Sequence, residues 1–231
     1  MWLNSEQVID SAMIAYRASL RGSSPNHIVI DRLFNEAKLD EVLKVLQQPH
    51  CWQVQKHAYS ALYVDNARWQ NTSKAQRFVQ RDVWQRDVDN AHISSSDIAQ
   101  QFLSFLRGEE FLAVLSNIFD VSLTDVNVAD PELNSNYFRL GTHDFVKQHA
   151  DDSPGRKVCM LLYLNRGWGD DGGGELSFIG KSDEPTRIAP LYNRCVLFDP
   201  SSKGSEHWAE PLSSFNTHEY RYNVTSWYWS E

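Results

Sequence analysis

The stretch FVKQHADDSPGRKVCMLLYLN, which runs from Phe145 to Asn165, places one histidine and two aspartates between two apolar segments. The first segment predicts an extended strand, and the Ser-Pro-Gly turn then leads into a second, buried strand. If the chain is extended from Phe145 to Asp151, His149 and Asp151 point to the same side, because strand side chains alternate. Asp152 points to the other side. We therefore expect it to be exposed to solvent or to lie around the pair without binding a metal itself.

This spacing suits two adjacent ligands of a metal ion, with a third ligand from elsewhere in the chain. Two histidines and one carboxylate on one face of an iron ion leave the opposite positions open, as non-haem Fe(II) chemistry requires. A His-x-Asp pair is nevertheless common enough to arise by chance in a chain with 8 histidines. From the pair alone, a solvent-exposed surface cluster remains the alternative.

After residue 131 the sequence consists of short strand-like runs separated by turns. The runs are NYFRLG, DFVKQH, KVCMLLYLN, GELSFIG, TRIAP, NRCVLFDP and HEYRYNVTSWYW. Several short strands at regular spacing predict a sandwich or barrel and not a parallel sheet with crossover helices.

The first half of the chain has a different pattern. Apolar residues at helical spacing predict a helix over residues 5–21, a second from about Asn35, and a long helical region to about Phe119 that Gly108 divides. We assign the N-cap of that region to Ser94-Ser95-Ser96. The runs HIVIDRLF and 51–66 predict strands. The fold class is therefore α+β, a double-sheet jelly roll with N-terminal helices bracing one face.

The segment ARWQNTSKAQRFVQRDVWQRD, residues 67–87, carries five basic residues among aromatics without a regular apolar pattern. We interpret it as a solvated, irregular connection. The alternative is a flap that contacts a substrate.

Composition excludes several classes of protein. The formal net charge is −8 and disfavours nucleic acid as a partner, since affinity for phosphate backbones comes mostly from lysine and arginine. Three scattered cysteines, Cys51, Cys159 and Cys195, indicate buried thiols in a reducing compartment. No run is apolar for long enough to span a membrane, and the N-terminus lacks the pattern of a secretory signal, so we expect a cytoplasmic protein.

The ordered motifs around the His-x-Asp pair resemble a known family, the prolyl-4-hydroxylase-like branch of the Fe(II)/2-oxoglutarate-dependent dioxygenases. The resemblance covers residues 136–229. Its elements are Tyr137, Gly141, DFVKQHAD, the Tyr163-Leu164-Asn165 strand end, Trp168, Gly173-Gly174-Glu175-Leu176, Ile188-x-Pro190, the strand ending in Phe198, His207-x-x-x-Pro211 and Arg221. The chain departs from the family pattern in the long gap between His207 and Arg221. It also has Asn223 where the family usually has Ser or Thr.

The resemblance implies roles for these residues. His149, Asp151 and His207 would bind Fe(II), with His218 a weaker candidate for the third ligand. Arg221 would bind the far carboxylate of 2-oxoglutarate, because arginine stays charged and binds carboxylates bidentately. The residues that would assist or line this co-substrate site are Tyr163, Asn223, Leu161, Leu176 and Val196. The residues that would flank the open iron position and meet the substrate are Tyr137, Arg139, Trp168 and Trp208.

The implied activity is hydroxylation of an unactivated C–H bond with Fe(II), 2-oxoglutarate and O2, by one oxygenase domain over residues 1–231. In it, 1–120 would be mainly helical support with early strands and 131–231 the catalytic jelly roll. The implied substrate is a prolyl residue of a peptide or protein. A small metabolite or free amino acid, a non-enzymatic jelly-roll binding module with a structural metal, and a nucleic-acid demethylase are the alternatives, the last disfavoured by the acidic charge. The sequence leaves the oligomeric state open.

Overall fold

Antiparallel strands dominate the second half of the chain in the computed structural model, which describes residues 1–86, 97–124, 134–169, 171–180, 184–213 and 218–230. The strands are β1 His27–Asp31, β2 Trp52–Ala58, β3 Arg77–Trp84, β4 Ser135–Leu140, β5 Phe145–His149, β6 Arg156–Tyr163, β7 Leu176–Phe178, β8 Thr186–Ile188, β9 Arg194–Phe198, β10 His207–Ala209 and β11 Arg221–Trp229. The helices are α1 Asp10–Gly22, α2 Glu36–Leu46, α3 Asn66–Asn71, α4 Ile98–Leu106 and α5 Glu109–Phe119.

The strands follow the order β1-β9-β6-β11-β4-β3-β5-β10-β7-β8, and β2 pairs with β3 beside this path. The first and last parts of the path fold over each other. Strands β6 and β9 contact β7 and β8 face to face, although they are not neighbours in the sheet. The buried residues that form this contact are Cys159, Leu161, Tyr163, Leu176, Phe178, Ile188, Val196 and Phe198. Two facing antiparallel layers of this kind form a jelly roll, the double-stranded β-helix, as the sequence predicted.

The helices cover the outer face of β6, β9 and β11. Strand β6 is apolar at nearly every position because alternate residues serve two cores. Leu161 and Tyr163 face the inside of the roll, whereas Met160 and Leu162 pack toward the helices. On the helical side, Leu39, Phe102 and Phe111 are fully buried. The α+β class with bracing helices is therefore confirmed.

Local signals account for most helix boundaries. The side chain of Asn35 caps α2 by accepting from the backbone N–H of Lys38. Gly108 separates α4 from α5, as predicted. Helix α4 is capped by Asp97, and the predicted cap Ser94-Ser95-Ser96 lies outside the described residues. Helix α1 begins at Asp10, five residues later than predicted, after a single 3₁₀ turn. Among the described residues, no helix has both the length and the apolar character needed to cross a bilayer.

The interpretation of residues 67–87 as an irregular connection was wrong. The segment contains part of α3 and all of β3, which pairs with β2, β4 and β5. The apolar pattern was obscured because β3 buries arginine as well as apolar residues. Arg77 stacks on Trp69, with 4.6 Å from its guanidinium carbon to the ring centroid, and Arg81 stacks on Phe138.

Tyr137 faces the helices and not the interior of the roll. Its hydroxyl donates a 2.8 Å hydrogen bond to the backbone carbonyl of Ala99, and its ring packs edge-on against Trp84. The neighbouring residues Phe138 and Leu140 point to the other face of β4, because strand side chains alternate. The predicted contact between Tyr137 and a substrate is therefore incompatible with its position.

We expect Tyr137→Phe to lower the free energy of unfolding by about 1 kcal/mol, the usual net contribution of one buried hydrogen bond. Metal affinity should stay the same, because the hydroxyl joins β4 to α4 on the far side of the sheet. Urea unfolding and metal titration would measure the two quantities. A loss of metal affinity with unchanged stability would contradict this placement.

Candidate metal centre and adjoining pockets

The pairing of β5 with β10 brings the two predicted histidine ligands together. His149 is the last residue of β5 and lies opposite His207, the first residue of β10. Their ring centroids are 4.3 Å apart. Asp151 lies two residues beyond the end of β5, which is shorter than predicted, but its carboxylate still points to the same side. The distance is 3.8 Å from Oδ1 to Nε2 of His149 and 3.8 Å from Oδ2 to Nε2 of His207.

Backbone contacts prepare both imidazoles for metal binding. Nδ1 of His149 lies 2.8 Å from the carbonyl of Lys147, and Nδ1 of His207 lies 3.0 Å from the carbonyl of Ser205. A carbonyl only accepts, so each Nδ1 carries the proton and each Nε2 keeps its lone pair. The ligand atoms of the three residues lie within 4.8 Å of one another. Two imidazole nitrogens and a carboxylate match the donor set that Fe(II) accepts in a three-ligand site.

The carboxylate of Asp151 is oriented by a residue that the sequence did not indicate. Trp227 on β11 donates its indole N–H to Oδ2 over 2.8 Å. Burial would by itself raise the pKa of Asp151, but His207, His149 and the Trp227 hydrogen bond outweigh it and lower that pKa. Asp151 is therefore an anion near neutral pH. Asp152 is exposed, as strand parity predicted.

Burial also keeps His149 neutral. It lowers the pKa of this imidazole to about 4, and the nearby His207 acts in the same direction. A neutral imidazole is the form that binds a metal ion. The centre thus combines a neutral His149 with an ionised Asp151, which is the state required of ligands.

A narrow inner cavity extends from the three residues into the jelly roll. It is lined by His149, Asp151, His207, Arg81, Leu140, Val146, Leu161, Leu176, Trp208, Ala209, Arg221, Asn223 and Thr225. Leu161 and Leu176 form apolar walls, as predicted. Val196 packs beside both of them in the same core but does not line the cavity.

Arg221 is a buried cation in this cavity, only 2% exposed. Its guanidinium carbon lies 4.7 Å from the ring centroid of Tyr163. Nε of Arg221 and the hydroxyl of Tyr163 are both buried, and apart from the contact of these two side chains with each other neither atom has a hydrogen-bond partner among the described residues. Buried polar groups are normally paired, so these two atoms point to an absent acceptor. A carboxylate deep in the cavity would satisfy them, and the residues present therefore fit 2-oxoglutarate.

Asn223 lines the cavity and supports Arg221. Its side-chain oxygen accepts from Arg221 over 3.1 Å, and its Nδ2 donates to the Thr225 hydroxyl over 3.0 Å. The three side chains form a hydrogen-bonded chain along one face of β11, and a direct hydrogen bond from Asn223 to a carboxylate stays a prediction. Asn223 thus positions Arg221.

The Gly-Gly-Glu-Leu motif makes room for this arginine. Gly174 has φ +72°, and a Cβ on it would lie 2.9 Å from Cδ of Arg221. Any side chain would therefore be strained in its backbone and would push Arg221 out of place. The motif is visible in the sequence, whereas the close approach of Arg221 to Gly174 appears only in the structure.

An open cleft of about 670 Å³ lies on the outer side of the three residues. Its walls include His57, Tyr59 and Phe78, and it reaches His149 and Asp151. Tyr59 stacks on Phe78 with a centroid separation of 5.0 Å, and Phe78 lies 5.9 Å from His149. The cleft is much wider than the inner cavity, and Arg81 lines both.

The four predicted substrate contacts have different positions. Trp208 lines the inner cavity, but Tyr137 faces the helices. Arg139 is incompatible with its predicted role, because it forms a 2.8 Å ion pair with Asp82 and lies over Tyr220.

Trp168 also lines neither the inner cavity nor the open cleft. It stacks on His218 and donates to the Gly173 carbonyl, which places His218 away from the three candidate ligands as well.

The sequence alone missed Arg81, Phe78 and Trp227. The first two belong to β3, which lies far in sequence from the His-x-Asp pair and was interpreted as irregular. Trp227 lies on the same face of β11 as Arg221, six residues later. The alternation of side chains along β11 was the signal available in the sequence. It does not reveal which strand faces Asp151.

Comparison with known proteins gives one family for this region. Residues 135–229 match the model of the 2OG-Fe(II) oxygenase superfamily. The chain is 25% identical to mouse prolyl 3-hydroxylase OGFOD1 over 130 residues and 30% identical to the Xenopus laevis protein over 129. These alignments cover 54% and 52% of this chain but 22% and 23% of the relatives, so the similarity spans less than a quarter of their length.

A solved structure shares the fold over nearly the whole chain. It is a prolyl hydroxylase from Trichoplax adhaerens in complex with a peptide fragment of the hypoxia inducible factor oxygen degradation domain. The TM-score is 0.66 at 18% identity, covering 95% of this chain and 90% of that one.

We expect Trp227→Phe to weaken Mn(II) or Fe(II) affinity about 10- to 100-fold, as loss of a hydrogen bond that orients a metal ligand usually does. The variant removes the N–H that holds Oδ2 of Asp151 and keeps an aromatic ring, although a smaller one, in the same place. Anaerobic metal titration would measure the change. Trp229→Phe is the matched control, because Trp229 lies on the same strand without contacting Asp151. Equal affinities of the two variants would rule out this role for Trp227.

Proposed function

We propose that the protein is a prolyl-hydroxylase-like member of the 2OG-Fe(II) oxygenase superfamily, whose model residues 135–229 match, and that it hydroxylates a prolyl residue of a peptide or protein. The observation that carries the proposal is the combination of a His-Asp-His centre, an open cleft and a buried arginine with no carboxylate oxygen within 4.0 Å among the described residues. The family uses Fe(II), 2-oxoglutarate and O2.

In this proposal His149, Asp151 and His207 hold the iron. The Nε2 atoms of the two histidines are available because the Nδ1 protons bind backbone carbonyls. Trp227 keeps the Asp151 carboxylate turned toward them. Iron and 2-oxoglutarate, when bound, would supply the activation of O2: one oxygen atom would enter the C–H bond of the substrate, and the other would enter succinate as 2-oxoglutarate loses CO2.

The chain's own residues position the co-substrate. Arg221 binds its far carboxylate, the Tyr163 hydroxyl adds one donor, and Asn223 holds Arg221 in place. Leu161 and Leu176 exclude water from the space between Arg221 and the centre. A dry, preorganised site strengthens the charge–charge contacts and limits side reactions of the oxidising centre.

The open cleft supports a peptide over a small metabolite. A metabolite would need a closed cup, whereas an extended peptide needs a groove that leads past the iron. Tyr59 and Phe78 present a stacked aromatic wall on which a pyrrolidine ring can pack. The names of the relatives, prolyl 3-hydroxylase and a prolyl hydroxylase with a bound peptide, support the same substrate class.

We expect the protein to bind Fe(II) and 2-oxoglutarate without oxygen, producing a weak visible charge-transfer band, and to release succinate in air. His149→Ala should abolish iron binding, whereas Arg221→Met should retain iron and weaken 2-oxoglutarate about 10- to 100-fold, since a charge-assisted hydrogen bond is worth about 1.5–3 kcal/mol. The control His143→Ala changes an exposed histidine outside the centre. The absence of both band and succinate would refute the enzyme and leave a metal-binding module.

We expect proline-containing peptides to gain one oxygen atom and free L-proline to remain unchanged, as judged by mass spectrometry. For a peptide that is turned over, Tyr59→Ala should raise the peptide KM about three- to tenfold through the lost aromatic contact. The KM for 2-oxoglutarate should not change. Tyr63→Ala is the matched control, because Tyr63 is 60% exposed close by in the chain but does not line the cleft. Turnover of free proline alone would favour the metabolite alternative.

A further inference from the structure

Arg81 occupies a position that the proposed function does not yet use. It lies on β3 and lines both the inner cavity and the outer cleft, so its side chain stands where the two spaces meet. Among the described residues that line the inner cavity, the other arginine is Arg221. The structure thus directs two guanidinium groups, about 140 residues apart in the sequence, toward one narrow space beside the metal centre.

The contacts of Arg81 hold it rigidly without neutralising its charge. Nε donates to the side-chain oxygen of Gln55 over 3.0 Å, and the guanidinium carbon lies 3.4 Å from the ring centroid of Phe138. Within the described ranges, no carboxylate oxygen lies within 4.0 Å of it. The neighbouring Asp82 is engaged with Arg139. Because Gln55 occupies only Nε, the planar ends of the guanidinium are free to meet a ligand.

Electrostatics make this arrangement costly, because Asp151 is the one acidic side chain among the described residues that line the inner cavity, and it is also a candidate metal ligand. Burial and the nearby Arg221 together lower the pKa of Arg81 to about 9, although the negative charge of Asp151 acts in the opposite direction. A buried charge needs a partner, and two cations that share a cavity of low dielectric repel each other. A ligand with one carboxylate would neutralise one of them. A dianion with a carboxylate at each end would neutralise both.

The positions of the two arginines indicate which end each would bind. Arg221 lies deep in the roll beside Leu176 and Tyr163, away from the opening. Arg81 lies at the opening, where it lines both spaces together with Asp151, whose negative charge attracts it. A chain of atoms that reaches from Arg221 to the metal centre therefore ends next to Arg81.

We propose that Arg81 is a second anchor for 2-oxoglutarate and binds the carboxylate next to the keto group, opposite the carboxylate that Arg221 binds. This inference rests on the proposed function. It assigns the two negative charges of the co-substrate to two arginines and makes Gln55 and Phe138 the residues that position Arg81.

The test is 2-oxoglutarate binding to the Mn(II)-loaded protein, measured by calorimetry without oxygen so that no turnover is required. Arg81→Met should raise the Kd about 10- to 100-fold, the usual effect of losing a hydrogen-bonded charge. Arg81→Lys should restore part of the affinity, because it returns the charge without the planar fork. Arg68→Met, which removes an exposed cation from α3, should bind as the wild type does.

A ligand lacking one carboxylate identifies the end that Arg81 binds. 2-Oxopentanoate keeps the keto acid but has a methyl group in place of the far carboxylate. When 2-oxopentanoate replaces 2-oxoglutarate, the wild-type protein and Arg81→Met should lose affinity by the same factor. Arg221→Met should lose little, because its partner carboxylate is already without a cation.

The outcomes separate the two proposals. If the wild-type protein does not bind 2-oxoglutarate, the proposed function fails. If the wild type binds and Arg81→Met binds equally well with Mn(II) affinity and stability unchanged, only the second anchor is refuted. If Arg81→Met, and not Arg221→Met, abolishes the discrimination against 2-oxopentanoate, the assignment of the two ends is wrong.

Discussion

The antiparallel pairing of β5 with β10 is the contact on which the metal centre depends. It places His149 directly opposite His207, and both rings turn to the same face, because paired residues in an antiparallel ladder share a face. A shift of register by one residue would turn one ring to the opposite face and leave no site. The orientation of the two rings depends on this register. It also depends on the tight turns next to both strands and on the backbone carbonyls that accept hydrogen bonds from the two Nδ1 atoms.

Strand β11 connects the two ends of the inner cavity. Arg221, Asn223, Thr225 and Trp227 occupy alternate positions and share one face, so a single strand carries the deep cation, its support and the donor that orients Asp151. The other face of β11 packs against the helices through Val224 and Tyr228. The bracing helices thus contribute to the site indirectly, because they hold the strand whose inner face builds it.

The three candidate ligands and the deep arginine could be inferred before the structure, because each sits in a short motif. His149 and Asp151 lie on one strand end, and Arg221 lies on an alternating strand, so local periodicity predicts their common direction. Asn223 and Trp168 show the limit of such reasoning. Both lie in recognisable motifs, yet the side-chain amide of Asn223 forms hydrogen bonds with Arg221 and Thr225, and Trp168 stacks on His218. The alternation of side chains along β4 could be predicted from the sequence, but it does not tell which face of the strand lines the site. Tyr137 was therefore assigned to the wrong face.

By itself, the sequence determined the α+β class, the strands of the jelly roll and the spacing that makes His149, Asp151 and His207 candidate ligands. These depend on periodicity and on turns, which are local properties of the chain. Only the tertiary structure decided that β3 lies beside β5, that Arg81 shares a cavity with Arg221, and that Trp227 orients Asp151. Those contacts join segments up to about 140 residues apart, so no local sequence pattern predicts them. Their energy comes from burial and charge in a space that exists only after the sheets close.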